Sequence, residues 1–404
     1  MARIAICGET YSENLGDGVI ADSLTWLLRQ ADPGVTVSKL DFSGKTGFGD
    51  KDRVDASSAN GIRVLHRSLA RLSIYRKGVI LPVWYGGKRN RLGRLWREQL
   101  AGCDLVLIGG GQLLMDNDLG FPLRIHELIG IARGLNKRVA FYACGVGENW
   151  SWIGLRLLAR AFREENVLWL SVRDHGSRNT LQALFPGSNI GCNITVDPAV
   201  CAAEAYGMKA NPGSDVIGLG ISAPNVLDRH KTFSRKEFFR KRVMQFWLSL
   251  AELLASDRRQ VFFFTNGQEE DHAFAESIME NMAKNKTLKY VPLLERARDP
   301  HSLISQVSQF RAIVAHRLHA NVIAYSLGIP SVGLIWDRKV KEFGNITGRS
   351  DFYLEPIQMV PGIVKRRLDD AMSAGVDASQ LARHKVYALR NVQTMLAAVG
   401  VTGA

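Results

Sequence analysis

AHRLHANVIAYSLGIPSVGLIWDRKVKEF, the stretch from Ala315 to Phe343, contains the end of a strand, a helix and a second strand in direct succession. The β-branched run at 312–314 predicts the first strand, which leads straight into Arg317 and His319 at the start of the helix. In open α/β sheets, ligands bind outside the carboxyl ends of the strands, close to helix N-termini. We therefore predict that Arg317 and His319 receive an anionic substrate.

A second strand, predicted over 330–335, brings further polar residues to the same edge of the sheet. These residues are Trp336, Asp337, Arg338 and Lys339. An alternative interpretation is that Arg317 and His319 serve only in helix caps or ion pairs, since structural networks use the same side chains. The clustering of several such residues at one edge favours a binding site.

The length and composition indicate a soluble protein with two domains. A chain of 404 residues exceeds one ordinary hydrophobic core, and its 46% hydrophobic and 23% charged residues are usual for globular proteins. The five scattered cysteines lack metal-type spacing, which favours buried thiols in a reducing compartment. There is no apolar run of the ~18 residues that span a bilayer, and the N-terminus predicts a strand instead of a signal sequence. We expect a cytoplasmic protein, with peripheral attachment to the inner face of the membrane as one option.

The net charge of +13 is concentrated in one stretch. Residues 56–97 contain ten Lys or Arg residues and no Asp or Glu. Apolar residues at helical spacing there alternate with Arg63, Arg67 and Arg71, a pattern typical of helices that bind anionic membranes or polyanions. The alternative is a core-facing helix with a solvated basic face. A second basic run lies at 229–242, but no nucleic-acid recognition motif accompanies the charge, so we expect no nucleic-acid partner.

Strands alternate with helix-length segments twice along the chain, which predicts parallel βαβ units. The fold class is therefore α/β, with two Rossmann-like, doubly wound domains facing one another across a cleft. We predict an N-terminal domain over 1–205, a linker over 206–216 and a C-terminal domain over 217–375. A final helix, within 376–404, is expected to pack back on the first domain.

Several loops carry polar or glycine residues directly after a strand. In the first domain, Asn14 and Asp17 precede a helix, although Asp17 can be read as a simple helix cap. Gly110, Gly111 and Gln112 form a turn whose backbone N–H groups are expected to face a ligand. This turn matches neither the dinucleotide fingerprint nor the phosphate loop of nucleotide-binding enzymes. The corresponding strand-end residues elsewhere are Arg173, Ser222 and Asn266.

These motifs together resemble the polysaccharide pyruvyl transferase family, from about residue 4 to residue 345. The most specific parts are the loop NLGD at 14–17, the triple glycine of LVLIGGGQLL and the block RLHA beginning at Arg317. The supporting parts are Asp116, YACGVGE, SVRD, VDPA and GIPSVG followed by Asp337, Lys339 and Phe343. The resemblance implies a fold like that of two-domain GT-B glycosyltransferases, and transfer of the pyruvyl unit of phosphoenolpyruvate onto sugar hydroxyls as a ketal.

The residues can be matched to that chemistry. Arg317 and Arg173 are suited to grip carboxylate or phosphate oxygens with two parallel N–H groups, which Lys cannot do. Histidine is a common proton donor and acceptor in enzymes, so His319 would transfer a proton or stabilise the leaving phosphate, and Asp17 would position or deprotonate the acceptor hydroxyl. We therefore assign His319, Arg317 and Asp17 to catalysis. The donor would be bound by Arg173, Ser222, Asn266 and Lys339, and the acceptor by Asn14, Gly110, Gly111 and Gln112.

The expected partners are phosphoenolpyruvate and a polysaccharide or lipid-diphosphate-linked sugar, with an anionic membrane surface reached through 56–97. We expect no cofactor and no metal, because His316 and His319 lack a third ligand nearby. Two alternatives remain open. One is a glycosyltransferase that uses a nucleotide sugar, with Glu269, Glu270 or Asp337 on the ribose. The other is a non-catalytic scaffold that binds membranes or polyanions.

Overall fold

The computed structural model describes residues 1–50, 76–116, 118–186, 191–227, 236–284 and 290–401. The chain divides into two compact units. The first unit comprises Met1–Ser12, Ile20–Pro198 and Tyr387–Ala404, and the second comprises Glu13–Val19 and Ala199–Val386. The predicted membrane-binding arginines Arg63, Arg67 and Arg71, and residues 229–235 of the second basic run, lie outside the described residues.

The first unit contains a sheet of six parallel strands in the order β2-β1-β3-β4-β5-β6. The strands are β1 (Arg3–Gly8), β2 (Thr36–Asp41), β3 (Leu105–Gly109), β4 (Arg138–Cys144), β5 (Val167–Val172) and β6 (Cys192–Ile194). The helices between them are α1 (Leu15–Ala31), α2 (Arg89–Leu100), α3 (Gly120–Gly134), α4 (Trp152–Ala161) and α5 (His175–Leu184). Every residue of β3 is buried, as expected for a central strand covered on both faces.

The basic stretch is helical where it is described. Helical turns over 76–88 lead into α2, whose Leu92, Trp96 and Leu100 are buried in the core of the first unit. Because these residues are spaced by four, one face of α2 packs inward and its arginines are carried on the other face. The described part of the stretch is thus a core-facing helix with a basic outer face. The predicted amphipathic helix with Arg63, Arg67 and Arg71, to which the two interpretations apply, lies outside the described residues.

The second unit contains a sheet of five parallel strands in the order β11-β10-β9-β7-β8. The strands are β7 (Ile217–Gly220), β8 (Val261–Phe264), β9 (Ala312–Ala315), β10 (Ser331–Leu334) and β11 (Tyr353–Leu354). The helices are α6 (Lys236–Ser256), α7 (Glu269–Lys284), α8 (Pro300–Ser308), α9 (Leu318–Ser326), α10 (Arg338–Ile346), α11 (Pro361–Ala374) and α12 (Ala378–Ala398). Short helical turns at Ala202–Ala205 and Pro224–Leu227 flank β7.

The α/β fold class with two parallel sheets is confirmed, but the unit boundaries differ from the predicted domains. Residues 206–216 belong to the second unit, where the Asn211 N–H donates to Ser308 O over 2.9 Å and the Ser214 hydroxyl donates to Gln309 O. The last helix, α12, begins in the second unit and continues in the first from Tyr387. No helix among the described residues is long and apolar enough to cross a membrane.

Candidate active site at the carboxyl edge of the second sheet

Three neighbouring strands of the second sheet end at the same level. Gly220, the last residue of β7, pairs with Phe264 at the end of β8 and with Ala315 at the end of β9. Adjacent strands lie about 4.8 Å apart, so the residues that follow these three strand ends are close neighbours. Those residues include four of the predicted site residues, namely Ser222, Asn266, Arg317 and His319.

Arg317 is buried and joined to a carboxylate that the sequence analysis did not single out. Its Nε and Nη2 atoms donate to Oδ2 of Asp271 over 2.9 and 2.6 Å, and Nη2 also donates to Oε1 of Gln268. The interpretation of Arg317 as part of an ion pair is therefore correct for its Nε and Nη2 atoms. Its third nitrogen, Nη1, has no hydrogen-bond partner among the described residues. Arg317 thus retains one donor group for a further anion.

The N-terminus of α9 lies at the same edge. Arg317 precedes the helix in an extended conformation, and no side chain caps the first turn. The first N–H groups of a helix have no partner within it, and together with the helix dipole they attract anions. His319 is buried in this first turn. Arg317, His319 and the start of α9 therefore form one local group of potential anion-binding elements.

Three buried polar side chains follow β7 and β8 without hydrogen-bond partners among the described residues. The atoms are Oγ of Ser222, Oγ1 of Thr265 and Nδ2 of Asn266, and each residue is at most 2% exposed. Buried polar groups in proteins are almost always hydrogen-bonded, because an unsatisfied one costs about 1–3 kcal/mol. These three groups are therefore candidates for contact with a polar ligand at this edge of the sheet.

The neighbouring histidine, His316, differs from His319 in what it can do. Its ring packs edge-on against Trp247 with 5.4 Å between ring centres, and burial together with the Arg317 charge lowers its pKa to about 3. Trp336 Nε1 donates to the backbone oxygen of His316 over 2.8 Å. His316 is therefore neutral at physiological pH and cannot supply a proton or a positive charge.

The NLGD loop lies in the second unit and packs against these residues. The Leu15 N–H donates to Asn266 O over 3.0 Å, and Asn14 Nδ2 donates to Asp17 Oδ2 over 3.0 Å. Asp17 is the third residue of α1, where the helix dipole stabilises its negative charge. It therefore does not cap the helix as the residue that precedes it. The prediction that Asn14 and Asp17 belong to the other domain is wrong, because Glu13–Val19 is part of the second unit.

The backbone at Gly16 approaches His319 so closely that only a glycine fits there. A β-carbon at Gly16 would lie 2.5 Å from Cγ and from Nδ1 of His319, well inside van der Waals contact. The glycine therefore lets the NLGD loop pack directly on the imidazole ring, and a larger residue would have to displace it.

We expect Gly16→Ala to lower turnover by on the order of 10²-fold, because a displacement of about 1 Å in a reacting group has that effect. Gly362→Ala is the matched control. Gly362 is likewise the second residue of a helix in the second unit, and a β-carbon there meets no atom within 4 Å. Steady-state kinetics and thermal melting of both variants check the prediction. Equal activity of the two would contradict it.

Lys339 is oriented by its own loop. Its Nζ lies 3.6 Å from Asp337 Oδ2 and 4.8 Å from the centre of the Trp336 ring. Asp337 caps α10 by accepting the Lys339 N–H over 3.1 Å. Asp337 thus has a structural role at this helix start, while Lys339 follows β10, the strand beside β9.

Four predicted site residues lie in the first unit, namely Gly110, Gly111, Gln112 and Arg173. Gly110 and Gly111 have positive φ angles of 71° and 77°, and a β-carbon at Gly110 would overlap Ile20. The Gly110 N–H donates to Tyr142 O over 2.9 Å, and Gly111 O accepts the Gly145 N–H over 2.8 Å. The expectation that Gly110 offers its N–H group to a ligand is therefore wrong. Gln112 follows them in the same loop and is half-buried.

Arg173, at the end of β5, is buried between two carboxylates of the first unit. Its Nη1 lies 3.5 Å from Asp197 Oδ2, and its Nε lies 3.8 Å from Asp174 Oδ2. Asp174 also caps α5 by accepting the Ser177 N–H over 2.6 Å. Arg173 lies in the first unit, whereas Arg317 lies in the second.

The residues that the sequence analysis missed are Asp271 and Gln268. Both lie in the segment GQEED, where β8 leads into α7, and β7 separates β8 from β9, the strand that leads into Arg317. The rule that placed Arg317 at a strand end applies to this segment as well. What the sequence did not reveal is which of its acidic residues is buried.

Two α/β units with parallel sheets define the GT-B class of enzyme fold, and solved structures of that class are similar to this chain. Three examples are a UDP-GlcNAc 2-epimerase from Methanocaldococcus jannaschii in complex with UDP-GlcNAc and UDP, S. aureus MnaA with UDP, and OtsA without ligand. Their TM-scores are 0.54, 0.52 and 0.56, each at 11% identity. The alignments cover 98%, 100% and 100% of this chain and 100%, 98% and 100% of the others. At this identity the similarity shows the fold alone.

The family is shown by sequence. The model of the polysaccharide pyruvyl transferase family matches residues 14–338, so the chain belongs to that family and is a transferase. No protein of curated function matches the sequence significantly.

Proposed function

We propose that this protein transfers the pyruvyl unit of phosphoenolpyruvate onto two hydroxyls of a sugar as a ketal. The acceptor would be a polysaccharide or a lipid-diphosphate-linked oligosaccharide. The observation that carries the proposal is the set of anion-binding groups at the carboxyl edge of the second sheet, in a chain of this family. Arg317 Nη1, the uncapped start of α9 and the buried polar atoms of Ser222, Thr265 and Asn266 make up that set.

The set suits a small donor with two anionic groups. Phosphoenolpyruvate carries a carboxylate and a phosphate on the same carbon, and its oxygens accept hydrogen bonds without donating any when fully ionised. Charge-assisted hydrogen bonds from a guanidinium and from helix N–H groups are about twice as strong as neutral ones. The hydroxyl and amide groups at this edge are donors that the same oxygens would satisfy.

The reaction needs a defined movement of protons. The methylene carbon of phosphoenolpyruvate gains a proton, one sugar hydroxyl bonds to the adjacent carbon, and a second hydroxyl replaces phosphate there. The two hydroxyls lose one proton each. One of these protons is matched by the proton that the new methyl group gains, and the other leaves on the phosphate. In this proposal His319 delivers the proton or stabilises the leaving phosphate, and Asp17 positions or deprotonates the acceptor hydroxyl. Lys339 pairs with the phosphate.

The test is incubation of the purified protein with phosphoenolpyruvate and candidate oligosaccharide acceptors. The expected result is release of inorganic phosphate together with a product whose mass gain equals one ketal-linked pyruvyl group. Isothermal calorimetry with phosphoenolpyruvate and with nucleotide sugars distinguishes the donor classes. Binding of a nucleotide sugar with no response to phosphoenolpyruvate would overturn the proposal in favour of glycosyl transfer.

We further propose that the basic stretch attaches the protein to an anionic membrane surface, where lipid-linked acceptors are held. The described part of the stretch exposes Arg91 and Arg94 on the outer face of α2, and Val83 and Tyr85 are 54% and 60% exposed just before it. The apolar face of α2 is packed in the core, so α2 itself would not insert into the membrane. This part of the stretch would bind the membrane surface through its positive charges and the ring of Tyr85.

Neutralising Arg91 and Arg94 together as Arg→Gln is expected to weaken binding to phosphatidylserine-containing vesicles by on the order of 10-fold or more. Each cation near such a surface contributes about 1 kcal/mol, and salt screens the interaction. The matched control is the exposed pair Arg383 and Arg390 on α12, changed in the same way. Vesicle co-sedimentation at two salt concentrations provides the measurement. Equal binding by both double variants would contradict an attachment through α2.

A further inference from the structure

Asp271 is the most deeply buried charged group near the candidate site. It lies in the first turn of α7 and is 0% exposed. Its Oδ2 accepts from Nε and Nη2 of Arg317 over 2.9 and 2.6 Å, and its Oδ1 accepts the Ala223 N–H over 2.8 Å. One carboxylate therefore bonds to the segments that follow two different strands, β7 and β9.

The ion pair determines how Arg317 can be oriented. Burial raises the pKa of the Asp271 carboxyl, and the Arg317 charge opposes that rise, so Arg317 helps Asp271 to remain ionised in the interior. A guanidinium is planar and its donors point in fixed directions. With Nε and Nη2 bonded to Asp271, the plane and direction of the remaining Nη1 group are fixed as well.

The bond to Ala223 orients a second element of the site. Ala223 directly follows Ser222, whose hydroxyl is one of the three buried polar groups without a partner among the described residues. By holding the Ala223 N–H, Asp271 fixes the backbone that carries this hydroxyl. The same carboxylate thus sets the position of a cationic donor and of a neutral donor.

We infer that Asp271 is a positioning residue for the donor: it holds Arg317 Nη1 and the Ser222 segment in the geometry that receives the donor anion. This inference rests on the proposed function. It assigns Asp271 no contact with the substrate and no proton transfer. Its effect on the reaction passes through Arg317 and Ser222 alone.

The test compares Asp271→Asn with Glu269→Gln in the full-length protein. Glu269 lies in the same first turn of α7 but is exposed, so its replacement removes the same charge from the same helix end. For Asp271→Asn we expect the KM for phosphoenolpyruvate to rise by on the order of 10-fold and kcat to fall, with the KM for the acceptor unchanged. Glu269→Gln is expected to match the wild type in all three constants.

A second comparison separates positioning from a general loss of structure. If Asp271 acts through Arg317, the double variant Asp271→Asn/Arg317→Lys should be no more than about 3-fold less active than Arg317→Lys alone, because contacting residues are not additive. A fully additive double variant, or a fall in kcat with an unchanged donor KM, would overturn the inference. If Asp271→Asn does not fold, Asp271→Glu keeps the charge and should show the same rise in donor KM.

The outcomes for this inference and for the proposed function are distinguishable. Calorimetry of the wild type with phosphoenolpyruvate tests the proposed function, and absence of binding would overturn both. Wild-type binding together with unchanged donor affinity in Asp271→Asn would overturn the role of Asp271 alone. Weaker donor binding in that variant, at an unchanged melting temperature, would support it.

Discussion

Arg317→Lys is expected to lower pyruvyl transfer by on the order of 10²-fold while the protein remains folded. A lysine keeps one positive charge near Asp271, so the buried carboxylate is not left unpaired. It cannot donate to Asp271 and to a substrate oxygen from one rigid plane, as the guanidinium does. The loss should therefore appear in the KM for phosphoenolpyruvate and in kcat, measured by phosphate release at varied donor concentration.

Two comparisons make the result interpretable. Arg311→Lys changes an exposed arginine just before the opposite end of β9 and should leave the kinetics unchanged. Arg317→Ala removes the charge as well and leaves Asp271 unpaired in the interior, a loss of about 3–5 kcal/mol in the free energy of unfolding. A folded Arg317→Lys variant with near-normal transfer would show that Arg317 serves only its ion pair with Asp271.

The fold and part of the site could be predicted because both depend on local periodicity. Alternating strands and helices predict parallel sheets, and ligands in such sheets bind at the carboxyl ends of strands. That reasoning led to Ser222, Asn266, Arg317 and His319, all of which follow strands of the second sheet. A prediction of this kind depends on the position of a residue relative to a strand end and does not require knowledge of side-chain contacts.

The remainder depends on tertiary contacts that periodicity does not encode. Asp271 and Glu269 lie two positions apart in one helical turn, yet Asp271 is fully buried and paired with Arg317, whereas Glu269 is exposed. The glycine-rich turn at Gly110 was predicted to face a ligand, but the Gly110 N–H donates to the backbone oxygen of Tyr142, in a strand distant in sequence. Asp17 was assigned to the wrong unit because seven residues near the N-terminus, Glu13–Val19, pack with the second half of the chain.

His319→Gln and His319→Ala are both expected to lower kcat by on the order of 10²-fold or more, with the affinity for phosphoenolpyruvate changed much less. General acid catalysis by a positioned side chain contributes about 10²–10⁴-fold, and glutamine can donate a hydrogen bond but cannot transfer a proton at neutral pH. Recovery of activity in the glutamine variant would therefore reduce His319 to a hydrogen-bond donor.

The packing of Gly16 against the imidazole gives this prediction an internal check. If His319 moves the proton, Gly16→Ala should lower kcat in the same direction as His319→Gln, and combining the two changes should add little, since both act on one ring. His301→Gln, at an exposed histidine on α8, is the control and should leave kcat unchanged. Calorimetry of each variant with phosphoenolpyruvate separates donor binding from chemistry. Near-normal turnover of His319→Ala would remove the histidine from the mechanism and leave anion binding at the start of α9 to Arg317 and the helix N–H groups.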